Sequence, residues 1–358
     1  MKRSRVLLAA GLIVACCLAG PPVIPWLRGA ESLPQSISNQ EFWKMTSEFS
    51  EPSGYFRSDN LLSNEIGFPF ILTDLTKIAS PAHVYMGVGP EQNFNYIAAL
   101  KPKMAFIVDI RRGNLILHLM YKAIFELSSD RAEFVSKLFS LRRPSTLNAL
   151  STPEQMFTAF SNVQKSETLY TANLKAIDAD LVEKRHFALA PEDLDALATV
   201  YETFYTFGPG IRYSSSQGGG FGGFNQPSYA ELMTSADGDG KFRSYLADEQ
   251  SFQLLKDLES KNLLVPVVGN FGGPKAIRAV GQYVKDHGAV ISAFYLSNVE
   301  MYLNQQDLWS SFCRNVASLP LNDTSTFIRS ARGGASYGRG FGLNLSIAAM
   351  AAEVKDCR

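Results

Sequence analysis

Residues 84–113, VYMGVGPEQNFNYIAALKPKMAFIVDIRRG, constrain the fold more than any other stretch of the chain. Val84 to Val88 is an apolar run that stops in Gly87-Val88-Gly89-Pro90. From Glu91 to Leu100, Phe94, Ile97 and Ala98 fall on one face at the i, i+3, i+4 spacing of a packed helix, and Pro102 ends it. Met104 to Ile110 is almost wholly apolar, as a parallel strand covered on both faces must be, and it carries Asp109 at its end. Gly113-Asn114 opens a further helix to about Leu127, with Ile116, Met120, Ala123 and Leu127 at helical spacing. Strand, glycine turn, helix and strand in this order form the repeating unit of an α/β fold with a mostly parallel, doubly wound sheet.

The same unit has the makings of a site. Glycine lets a backbone approach a ligand closely, and a helix start offers free N–H groups and positive potential. Gly87 and Gly89 supply the approach. Glu91, in the first helical turn, complements the helix dipole but repels a phosphate, which favours a neutral or cationic ligand over a dinucleotide. Asp109 ends the second strand about 20 residues on, where a carboxylate can accept the hydroxyls of a ribose. The competing reading is a tight turn and a solvated Asp.

The winding pauses at Ser128 and resumes at Leu263. Between about 128 and 250 the pattern is helical. Thr152-Pro153-Glu154-Gln155 has the Thr, Pro and Gln of a capped helix start. Ala190-Pro191-Glu192-Asp193 opens a helix with Leu194, Leu197, Tyr201 and Phe204 as its stripe and Gly208 as its stop. Gly208 to Gln226 is a Gly/Ser-rich loop. Leu263 to Gly269 reads as a buried strand in which Pro266 suits an edge or a bulge. Gly273-Pro274 begins a helix with Ile277, Val280 and Val284 inward, and Ala289 to Leu296 is the next strand. Residues 325–330 and 341–347 form a final antiparallel pair, and 51–70, dense in aromatics and turn formers, an ordered loop.

The N-terminus carries a separate message. Lys2, Arg3 and Arg5 precede an apolar run from Val6 to Ala15, the pattern of an export signal. Ile13-Val14-Ala15-Cys16 resembles a bacterial lipobox with Cys16 as the acylated residue, and an N-terminal anchor within residues 1–27 is the rival reading. Either way residues 28–358 form one domain on the outer side, in the cell envelope, exported behind a signal peptide or tied to the membrane through the N-terminus; a buried first helix of a cytosolic protein is the remaining alternative. An oxidising compartment permits Cys313 and Cys357 to pair; two unrelated core cysteines are the alternative. The formal net charge is zero and long basic runs are absent beyond the N-terminus, which argues against nucleic acid as a partner. The four histidines, His83, His118, His186 and His287, have no metal-ligand spacing, and no GxSxG, HExxH or P-loop pattern occurs.

Gly87, Gly89 and Asp109 match, residue by residue, the glycine turn and the strand-two acid of class I S-adenosylmethionine-dependent methyltransferases, which this unit resembles. Pro90 and Glu91 stand where that pattern has its third glycine, and Tyr85 and Met86 where it has an acid. Asn270, in Asn270-Phe271-Gly272-Gly273-Pro274, lies where the family places a substrate-side motif. The blocks at 56–65, 295–303 and 325–330 are similar to an uncharacterised bacterial family with that methyltransferase-like fold. The resemblance implies a Rossmann-like sheet of methyltransferase type, S-adenosylmethionine as cofactor, and Gly87, Gly89, Glu91, Asp109 and Asn270 around it. Export removes the domain from the cytoplasmic cofactor, so the chain is read as an exported protein holding a nucleoside-like molecule in this pocket. The alternatives are an active methyltransferase, a non-catalytic envelope scaffold and an exported enzyme of another class using the pocket for a different ligand. Further polar groups near the pocket are Asp59, Asn60, Asn64 and Glu65, read as lid or as turn chemistry, the pair Arg111 and Arg112, read as solvated surface with a contact to a ligand carboxylate or phosphate as the alternative, and Ser297 with Asn298 at a strand end, read as the ligand edge of the sheet or as a helix cap.

Overall fold

The computed structural model describes residues 32–79, 83–213, 226–331 and 344–357. The leader with Cys16 and the GGGFGG run at 218–223 lie outside them. The fold is α/β, built on a sheet of six strands: β1 (Val84–Gly87), β2 (Met104–Asp109), β3 (Leu264–Val268), β4 (Ile291–Ser297), β5 (Thr326–Ala331) and β6 (Asn344–Ala349). Their order is β3-β2-β1-β4-β5-β6. All neighbours run parallel except β5 and β6, the expected antiparallel pair.

The helices between the strands follow from right-handed crossovers. From β1 through α3 (Gln92–Leu100) to β2, and through α4 (Arg112–Leu127) and α10 (Glu249–Ser260) to β3, the chain moves one way along the sheet. It then reverses through α11 (Ala276–Asp286) to β4, which puts α11 on the opposite face. The reversal leaves a gap between the ends of β1 and β4, the place where open α/β sheets hold ligands.

The edge of the sheet explains Pro266. Alternate residues of β3 face β2, as Gly269 does by donating to the Asp109 carbonyl. Pro266 is on the outward phase with Val268, whose N–H goes to Ser50 Oγ, so its missing N–H breaks no ladder bond. Ser50 follows α1 (Asn39–Phe49), which lies along β3 and covers an edge that would otherwise invite pairing.

The expected insertion consists of α5 (Arg131–Phe139), α6 (Pro153–Ser161), α7 (Glu167–Asp178), α8 (Pro191–Phe207) and α9 (Tyr229–Met233). Thr152 and Gln155 form the anticipated capping box of α6. α11 starts at Ala276, later than Gly273-Pro274 suggests, and the free N–H groups at its start, of Lys275 and Ala276, are capped by Glu51 from another part of the chain. Cys313, in α13 (Trp309–Ala317), is paired with Cys357, with Cα atoms 5.4 Å apart. Among the described residues no helix is long and apolar enough to cross a membrane.

Candidate functional site

β1 is buried along its whole length and delivers the chain into a turn held from below. Asn93 Oδ1 accepts from the Tyr85 hydroxyl at 2.9 Å, and Asn93 Nδ2 faces the carbonyls of Val88, Gly89 and Pro90 at 2.7 to 3.1 Å. A side chain at Gly87 would overlap Asn93 Oδ1. The closeness that requires glycine at 87 is therefore to Asn93, and Gly87 is not among the residues lining the cavity described below. Gly89 behaves differently. Its φ is +76°, and nothing lies within 4 Å of the place a Cβ would occupy. Its carbonyl is fixed by His118 Nε2 at 2.9 Å, which makes that nitrogen the protonated one. Burial holds His118 down at about 4, so it is neutral at physiological pH.

Glu91 does not join the cavity wall as expected. Its carboxyl is fully buried and accepts from the Ser63 N–H at 3.1 Å, which anchors the 51–65 loop. Burial, opposed by these backbone bonds, raises it to about 8. A carboxyl kept largely protonated here neither repels a phosphate nor attracts a cation.

Asp109 does end β2 and lines the cavity, but it is engaged. Its Oδ1 accepts from the N–H of Arg111 at 2.9 Å and from Arg111 Nε at 3.1 Å, and its Oδ2 from Nη2 at 3.3 Å. The other arm of the guanidinium reaches the carbonyls of Ser58 and Asp59. The reading as a solvated surface pair fails for Arg111 and holds in part for Arg112, whose side chain is 43% exposed. Arg111 is 8% exposed and ties the loop to the sheet, while Arg112 makes a bidentate pair with Asp193 of α8, both contacts 2.6 Å. A fork donor beside a strand-end acid is what such recognition requires.

These elements line a cleft, partly open to solvent, at the C-terminal ends of β1 to β4, the place in an α/β sheet where small molecules bind. Gly89 and Asp109 form its floor with Asn270, whose Oδ1 accepts from the Gly272 N–H and whose own N–H goes to Glu51. Asn60 and Asn64 of the loop line it as well, in keeping with the lid reading, whereas Glu65 is turned inward. Tyr55, Phe56, Tyr213 and Tyr302 supply an aromatic wall. Phe56 and Tyr302 meet edge to face at 5.0 Å, and Arg57 lies over the Tyr302 ring.

Sequence reasoning missed the aromatic wall, since Tyr213 and Tyr302 sit far from the motif and in segments without a pattern of their own. It also missed that Glu65 meets Ser297: Ser297 Oγ donates to Glu65 Oε1 at 2.6 Å. Among the described residues, no three His, Cys, Asp or Glu side chains are grouped to hold a metal ion. A family described as a domain of unknown function, DUF7790, matches the chain over residues 63–345, a span that contains Gly87, Gly89, Asp109, Asn270 and Ser297. No curated protein matches it.

Proposed function

The chain belongs to the DUF7790 family, and from its cavity we propose that it is a Rossmann-like, methyltransferase-like protein that binds a small nucleoside-type molecule. One observation carries the reading: Gly89, with its open backbone, and Asp109 share a cavity with an aromatic wall at the point where the strand order reverses. A base stacks on the wall, and a sugar hydroxyl donates to Asp109 Oδ2, which Arg111 leaves with acceptor capacity.

S-adenosylmethionine itself fits poorly. Its ammonium and sulfonium call for carboxylates, and Asp109 is the one carboxylate lining the cavity among the described residues, already neutralised by Arg111. No methyl transfer is derived. The same proposal places the domain in the cell envelope, attached through its N-terminus, and the Cys313–Cys357 pair agrees with an oxidising compartment. Fractionation of cells with labelled palmitate, comparing the chain with Cys16→Ala, tests that placement: a soluble cytoplasmic chain in both removes it.

Isothermal titration with adenosine, S-adenosylhomocysteine and S-adenosylmethionine tests the ligand. Adenosine, which carries neither cation, should give the heat. Tyr302→Ala, at the partly exposed mouth, should weaken binding about tenfold through lost stacking. Folded protein that gives no heat with any of the three sinks the reading.

A further inference from the structure

Ser297 is the last residue of β4 and forms part of the cavity wall. Its φ is +48°, in the left-handed region that a non-glycine residue occupies at a cost of about 1 kcal/mol. Such backbone is kept where the surrounding structure fixes it, often where a side chain is being aimed. The hydroxyl so aimed makes a 2.6 Å bond to Glu65 Oε1, the length of an O–H donated to a carboxylate. Glu65 is 6% exposed, sealed under the 51–65 loop. A serine on a strained turn at the end of a parallel strand, with a buried proton acceptor behind it and an open cavity before it, is the placement of an activated nucleophile.

We propose that Ser297 is a nucleophile with Glu65 as its proton acceptor, and that this cavity hydrolyses small carboxylic esters. The Ser297 oxygen bonds to the acyl carbon while its proton passes to Glu65 Oε1. As the tetrahedral species collapses, the bond to the leaving alcohol breaks and the alcohol oxygen takes that proton. Water then attacks the acyl-serine, gives a proton to Glu65, and the Ser297 oxygen leaves with it. Water is the one co-reactant, and no electrons are exchanged.

The groups around Glu65 suit the role. Burial pushes its carboxyl up, while the Ser297 hydroxyl that donates to it holds it down in part. Tyr85 and Tyr96 stand behind it, with the buried carboxyl of Glu91 beyond. A carboxyl raised in this way is a stronger base than a solvated one. Glu65 must be ionised to accept the proton, so the rate rises with pH as it titrates.

The test treats the full-length chain with a fluorophosphonate, maps the adduct by peptide mass, and follows hydrolysis of p-nitrophenyl acetate. Ser297→Gly keeps the left-handed turn and deletes the nucleophile; Glu65→Gln keeps the shape and deletes the base. The expected result is one adduct on Ser297, and hydrolysis reduced at least about tenfold in each variant, with the pH dependence flattened in Glu65→Gln. Folded protein without an adduct on Ser297 overturns the proposal, as does Ser297→Gly working at the unaltered rate. Glu65→Gln labelling at the unaltered rate removes Glu65 from it. The adduct on the unsubstituted chain decides the matter even where a variant fails to fold. Neither probe carries a nucleoside, so this result and the adenosine titration stand or fall separately.

Discussion

Two turns meet at the cavity, one after β1 and one after β4, and each places a single residue in left-handed backbone. After β1 it is Gly89, at +76°, held by buried side chains from α3 and α4. After β4 it is Ser297, at +48°, held by a carboxyl from the 51–65 loop. Glycine adopts that conformation without strain and shows only backbone to the cavity. Serine keeps the strain and shows a hydroxyl. The first turn is suited to letting a ligand come close, the second to acting on it or gripping it.

The largest effect should come from breaking the support of the first turn. Gly87→Ala drives a methyl into Asn93 Oδ1, and Asn93 is the side chain that faces three successive turn carbonyls. Losing that buried network should cost about 4 kcal/mol or more. Denaturant unfolding measures it, and a loss below about 1 kcal/mol would mean that Asn93 does not hold the turn.

Next is the buried pair beneath the same turn. Glu91 is raised from 4.5 to about 8, so the folded chain keeps a proton that the unfolded chain releases. Its contribution is full below 4.5 and is lost as pH climbs toward about 8. His118 runs the other way: lowered from 6.5 to about 4, it contributes above 6.5, and that contribution is lost as pH falls toward about 4. Glu91→Gln should therefore flatten the decline above pH 6.5, a change of about 2 kcal/mol between pH 6.5 and about 8. Unfolding midpoints at several pH values separate the two. A profile for Glu91→Gln parallel to that of the unsubstituted chain would show that Glu91 is ionised in the fold.

What could be read beforehand follows the same divide. The first turn was legible because β1, its glycines, α3 and β2 are contiguous, and a covered parallel strand writes itself as an unbroken apolar run such as Met104 to Ile110. Asp109 was legible as a strand-end acid, but not its capture by Arg111, because a side chain folding back on its neighbour leaves no periodic trace. The second turn was half legible: Ser297 stood visibly at a strand end, while Glu65 lies 232 residues away and nothing in either segment announces the contact. Glu91 was misjudged because its place in a first helical turn is local, whereas its burial is caused by the loop around Ser63 that closes over it. The helix α10 straddles Gln250, the expected end of the insertion, so the sequence pattern does not separate it from the helices before it.

The smallest effect sharpens the comparison most. Ser297→Gly and Ser297→Ala both delete the hydroxyl, so the loss at Glu65 is common to them and cancels in their difference. What remains is the backbone, and the glycine variant should be more stable by about 1 kcal/mol. Gly89→Ala is the mirror experiment. A Cβ there meets nothing within 4 Å, so its penalty contains no clash and should again be about 1 to 2 kcal/mol of left-handed strain. Denaturant midpoints of the three variants give both differences. If they agree in sign and size, the two turns share one backbone geometry and differ only in what they carry into the cavity. If Ser297→Ala equals Ser297→Gly while Gly89→Ala is costly, the chain at Ser297 is not held in left-handed backbone, and the aim of its hydroxyl at the cavity loses its support.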